Sequence, residues 1–159
     1  MLVDLSSFLN GATRVVVVGI GSGMRGDDAA GIEVLRRLRG RLRSPNVLLI
    51  DGGVAPENFT SQIRRFRPSH IIFVDATEFG AKPGDVVIAD PGAITGQSVS
   101  THTIPLSALA GYLKEQTGAD IILIGIQPSQ IDMGAKISDV VKVSVSRVFE
   151  ILTEKLISV

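Results

Sequence analysis

Cysteine and tryptophan are both absent from the 159 residues. Without cysteine there is no disulfide, no thiolate zinc site, no iron–sulfur cluster and no cysteine nucleophile. Histidine occurs twice, as His70 and His102, so a three-histidine metal site cannot form within one chain and any metal must lean on carboxylates. Aromatic residues are scarce, six Phe and one Tyr, too few for a base-stacking platform. Net charge is missing as well: sixteen basic residues cancel sixteen acidic ones, so no global field favours nucleic acid or an anionic membrane. The longest wholly apolar stretches, around Val15–Val18 and Ile121–Ile124, fall far below the ~18–20 residues of a membrane span. An acid, Asp4, stands where a signal peptide carries its basic start. These absences predict a soluble, cytoplasmic protein with no membrane insertion and no nucleic-acid partner.

What is present is apolar and short-ranged. At 45% hydrophobic content the chain can bury a real core, and its length suits one domain over 1–159, expected as a monomer. Five apolar runs bounded by turn residues read as strands: Arg14–Ile20, Asn46–Asp51, His70–Asp75, Asp85–Asp90 and Asp120–Gln127. Four of them are near-continuous in Val, Ile and Leu, the pattern of parallel strands covered on both faces. Asp85–Asp90 follows its predecessor across Lys82-Pro83-Gly84, with no room for a crossover helix, and reads as an antiparallel edge strand reached by a hairpin-like connection. Helical patterns fill the gaps at Asp28–Arg43, Pro56–Phe66, Leu106–Gln116 and Lys136–Ile157. The predicted fold is α/β: a three-layer αβα sandwich around a five-stranded, mostly parallel sheet with one antiparallel edge strand.

Two features interrupt this regular pattern. Gly92–Thr103 is small, polar and rich in Gly, Ser and Thr, the one long loop candidate. Charge is also unevenly spread: residues 1–67 hold ten arginines against six acids, and residues 68–159 hold ten acids against six bases. The arginine run from Arg36 to Arg43 suits a solvated helix C-terminus, where cations complement the dipole. A docking face for an acidic or C-terminal peptide is the alternative.

The first loop, Gly19-Ile20-Gly21-Ser22-Gly23-Met24-Arg25-Gly26-Asp27-Asp28, follows a strand and opens a helix. Gly21, Gly23 and Gly26 fit the dinucleotide pattern, and Asp51 ends the next strand where a ribose-binding acid would lie. Asp27 and Asp28 argue against it, because two carboxylates at the helix N-terminus stand where pyrophosphate must bind. A phospho-receiver site is also disfavoured: the acid pair comes late, and Gln127 stands where a lysine is wanted. No G-x-S-x-G elbow supports a serine hydrolase built on Ser22, Asp75 and His102.

Topology selects a different constellation. Right-handed crossovers from the first strand give the order 2-1-3, with strands one and three side by side. Asp28, after strand one, and Asp75, ending strand three, then meet at the crevice outside the strands' carboxyl ends. His102, in the later loop, can reach the same end. Two carboxylates and an imidazole leave positions open for water or substrate around a divalent ion.

Together these stretches resemble the hydrogenase maturation endopeptidases of the HycI/HybD type. The resemblance runs from about Arg14 to the final helix. Its motifs are Gly26-Asp27-Asp28-Ala29-Ala30-Gly31, Asp51-Gly52-Gly53 continuing to Pro56-Glu57-Asn58, Val74-Asp75-Ala76-Thr77, Lys82-Pro83-Gly84, Ser100-Thr101-His102 and Ile126-Gln127-Pro128. One departure is Ser22, where the family usually has Asn. The resemblance implies an endopeptidase that removes the C-terminal extension of a [NiFe] hydrogenase large-subunit precursor after nickel insertion. It also implies Asp28, Asp75 and His102 as catalytic and metal-recognising residues, with the nickel carried by the substrate. Asp51, Gly52 and Gly53 are the candidate substrate-binding stretch; the glycines either admit the substrate backbone or make a tight turn. A held metal could polarise the scissile carbonyl and acidify a water, or the acids could act directly as base and acid. The competing class is a non-catalytic nickel- or nucleotide-binding accessory protein.

Overall fold

A computed structural model describes residues 3–93, the backbone of 97–98, and 104–159. The elements are α1 (Leu5–Phe8), β1 (Val15–Ile20), α2 (Ala30–Arg39), β2 (Val47–Gly53), α3 (Thr60–Phe66), β3 (His70–Glu78) and β4 (Val86–Ala89). A two-residue β5 (Gln97–Ser98) follows, then α4 (Leu106–Thr117), β6 (Asp120–Ile126) and α5 (Asp139–Leu156). Short 3₁₀ turns, Gly26–Ala29 and Pro56–Phe59, lead into α2 and α3.

The main sheet runs β2-β1-β3-β6-β4, the first four strands parallel and β4 antiparallel to β6; β5 pairs with the extended end of β3. Alternate residues of the apolar strands feed opposite layers. Val15, Val17, Ile72 and Val74 pack with α2 and α5, whereas Val16, Val18, Ile71 and Phe73 pack with α3 and α4. Burial on both faces is why these strands read as unbroken Val/Ile runs. The three layers and the 2-1-3 order are as expected. No helix among the described residues is long and apolar enough to cross a membrane.

The connection to β4 differs from the expected hairpin. β4 pairs with β6, which lies between it and β3. The reason is burial: from Ile122 onward β6 is buried and takes an interior place, while β4 is mostly half-buried and takes the edge. Gln127, just past β6, holds the crossing chain. Its N–H donates to Asp85 O at 2.8 Å and its carbonyl accepts from Gly84 N at 2.8 Å. The side-chain Oε1 accepts from Phe79 N and Ala81 N, and Nε2 donates to Glu78 Oε2 at 2.7 Å. The Val3 N–H donates to Ile88 O at 2.7 Å, so the N-terminal segment lies along β4.

The arginine run ends α2 and continues past it. Arg36 and Arg37 lie within ion-pair distance of Glu33, and Arg37 also donates to Ser146 on α5 at 2.7 Å. These contacts favour the helix-terminus reading over a docking face.

Candidate active site

Two glycines bring α2 close to the sheet and so set where Asp28 falls. A Cβ on Gly31 would strike the carbonyl oxygens of Val74 and Ile20. One on Gly19 would stand 2.6 Å from Gly31 O and 2.9 Å from Leu35 Cβ. Backbone-to-backbone packing here lets the turn Gly26–Ala29 sit at the carboxyl ends of β1 and β3. Gly21, at φ +135°, lies against the Asp28 carbonyl, a position closed to any side chain.

Asp28 is fully buried. Its Oδ2 accepts from Ser22 N at 3.1 Å and lies 3.9 Å from Arg25 Nη1. The Ser22 bond is made by the backbone, so serine at this position leaves the contact to Asp28 in place. Asp75 is also fully buried, six residues into β3 and in register with Gly125 of β6. β1 and β3 are neighbours, with Gly19 paired to Val74, so both acids belong to the same end of adjacent strands. His102 lies outside the described residues, as does most of the Gly92–Thr103 loop. Among the described residues no three acids or histidines cluster as a metal site.

Asp27 does something its neighbour does not. It is fully buried, and its carboxylate accepts from the backbone N–H of Ser129 at 2.8 Å, Gln130 at 2.9 Å and Ser138 at 2.7 Å, and from Ser138 Oγ. Asp27 N in turn donates to Gln130 O, and Gly26 N to Ala135 O. The Asp27-Asp28 pair therefore does not present two charges to one anion site; the first acid clasps the 129–138 segment. That commitment of Ser138 also explains why α5 begins at Asp139 rather than at Lys136.

Asp51 pairs with Gly19 across β1–β2, and its Oδ1 accepts from Gly53 N at 3.2 Å. The two glycines after it have different reasons to be glycine. A Cβ on Gly52 would stand 2.9 Å from Val18 Cγ1 and 3.2 Å from Pro56 Cβ, so Gly52 is a packing residue. Gly53 adopts φ +55° with open space around its Cβ position, and its carbonyl accepts from Gly21 N at 2.8 Å. Gly53→Ala is expected to lower stability by about 1–2 kcal/mol through left-handed strain alone. Denaturant midpoints will check this, and an unchanged midpoint would refute it. Glu57 lies just past this loop, in the turn Pro56–Phe59. Its Oε2 is buried with no hydrogen-bond partner among the described residues, an acid past the end of β2 that spacing alone does not single out.

A family model described as HycI, hydrogenase maturation protease, matches residues 32–155. The crystal structure of the [NiFe] hydrogenase maturation protease HycI from Thermococcus kodakarensis KOD1 matches with a TM-score of 0.88 and 42% identity, over 96% of this chain and 97% of that one. The solution structure of the endopeptidase HycI from Escherichia coli gives 0.77 and 34%, over 89% and 90% of the two chains. The hydrogenase 3 maturation protease of E. coli K12 is 36% identical over 136 residues, covering 85% of this chain and 86% of the relative. The structural match to the Thermococcus protein extends along nearly the whole chain. The protein belongs to the hydrogenase maturation proteases and is an endopeptidase.

Proposed function

We propose that this protease removes the C-terminal extension of a [NiFe] hydrogenase large-subunit precursor once nickel has been inserted, using Asp28, Asp75 and His102. The observation that carries the reading is the pair of fully buried carboxylates at the carboxyl ends of adjacent strands β1 and β3, the crevice where open α/β sheets bind ligands. His102 enters through the likeness of Ser100-Thr101-His102 to the family motif. Two carboxylates can take the proton of an attacking water and return it to the leaving nitrogen.

Nickel enters here as part of the substrate. The two acids are hard oxygen donors, and no cysteine exists to strengthen nickel binding. Such a set holds a divalent ion weakly alone but suits an ion whose coordination is completed from the precursor's side. That would make cleavage conditional on metal insertion. Chelator-treated protein is therefore expected to process nickel-loaded precursor, read as loss of the C-terminal mass, whereas metal-free precursor resists. Efficient cleavage of metal-free precursor, or a stoichiometric metal held tightly by the purified protein, would overturn this.

A further inference from the structure

Two methionines stand at the tips of adjacent turns beside the Asp28 loop, and neither belongs to either core. Met24 is 68% exposed, as is Met133. Met24 sits in a tight turn whose Ser22 Oγ accepts from its N–H at 3.2 Å, and Met133 sits in a turn closed by Ala135 N donating to Asp132 O at 3.0 Å. Turn tips ordinarily carry Gly, Pro, Asn, Asp or Ser, since an apolar side chain there gains no burial. One exposed methionine on a surface is unremarkable. Two brought side by side from distant parts of the chain are a patch.

The turns are fastened to each other. Gly134 N donates to Met24 O at 2.8 Å, and the Asp27 carboxylate clamps both ends of the second loop through Ser129, Gln130 and Ser138. The patch is thus held on a rigid base, while its side chains are the unbranched, polarizable type that adapts to an apolar partner. Met24 lies between Ser22, whose N–H donates to Asp28 Oδ2 at 3.1 Å, and Arg25, whose Nη1 lies 3.9 Å from the same oxygen, so its turn adjoins the candidate catalytic crevice.

We infer that Met24 and Met133 form a docking surface for an apolar segment of the protease's own polypeptide substrate, next to the bond to be cut. This rests on the reading of Asp28 and Asp75 as the catalytic end of the sheet. A protein substrate must lie across that end, and these two turns border it on the Asp28 side. A second copy of this chain is the other candidate for an apolar patch. The substrate is favoured because the patch adjoins the crevice a substrate must enter, and a copy seated there would block it.

The test is steady-state processing of the nickel-loaded large-subunit precursor by wild type, by M24E/M133E and by M24L/M133L, with release of the extension followed by mass. For the glutamate variant KM is expected to rise at least about tenfold with kcat within about twofold, and the leucine variant should restore KM. Thermal midpoints should not move, because both side chains are exposed. Unchanged KM in M24E/M133E, or a loss confined to kcat, would overturn the docking surface while leaving the catalytic reading intact. Dimerisation of wild type abolished by M24E/M133E with KM unchanged would assign the patch to a second copy instead. Failure of wild type to cut the precursor at all would bring down the catalytic reading, and this inference with it.

Discussion

Asparagine at Asp75 or at Asp28 is expected to cut precursor processing by on the order of 10³-fold, with the fold and its thermal midpoint retained. The amide keeps the size of the carboxylate but can neither take a water's proton nor carry the charge that would face a substrate-borne nickel. Both side chains are fully buried at strand ends rather than within the apolar layers, so an isosteric amide leaves no cavity. Ser22 N can still donate to the remaining carbonyl oxygen at position 28, which keeps the first loop in place. Circular dichroism and a mass-resolved processing assay on the same preparations separate the two readouts. Full activity in both variants would show that the reacting groups lie elsewhere.

The adjacent acid should behave in the opposite way. Asp27→Ala is expected to lower unfolding free energy by on the order of 4 kcal/mol, since hydrogen bonds to a charged acceptor contribute more than neutral ones and several donors lose theirs at once. The backbone N–H groups of Ser129, Gln130 and Ser138 and the Ser138 hydroxyl all point at this one carboxylate. Against a total of roughly 5–15 kcal/mol for a domain, this is a large fraction. Asp27→Asn retains one acceptor oxygen and should lose about half as much. Guanidinium unfolding of the two variants provides the check; a loss below about 1 kcal/mol for alanine would mean that water replaces the clasp. Two neighbouring aspartates would then divide their effects, position 27 governing stability and position 28 turnover.

Much of this architecture was readable along the chain. The runs at Val15, Val47, His70 and Asp120 announce themselves because a strand covered on both faces needs no polar alternation. Once four such runs alternate with helices, right-handed crossovers constrain their order, and the order alone carries Asp28 and Asp75 to one end of neighbouring strands. The motifs around Asp28, Asp51 and Asp75 point the same way, since each lies at a strand's carboxyl end or in the connection that follows it.

Other features depend on partners that no local pattern encodes. Asp27 and Asp28 are chemically identical in the sequence, yet Asp27 is bound by donors over a hundred residues away, which only the folded chain brings near. Gly52 and Gly53 look alike as a pair, but one is small because Val18 and Pro56 crowd it, and the other because its backbone is left-handed. The edge strand's antiparallel direction was visible in its short connection, while its partner was not. Pairing is decided by which strand buries more apolar surface in the sheet's interior, and β6 outcompetes β4 for the place beside β3. Local periodicity determined the elements and the ends at which chemistry collects. Long-range hydrogen bonding and close backbone packing decided which of the similar residues at those ends clasp a distant segment and which crowd a neighbour, because both depend on distances that exist only after the chain has closed on itself.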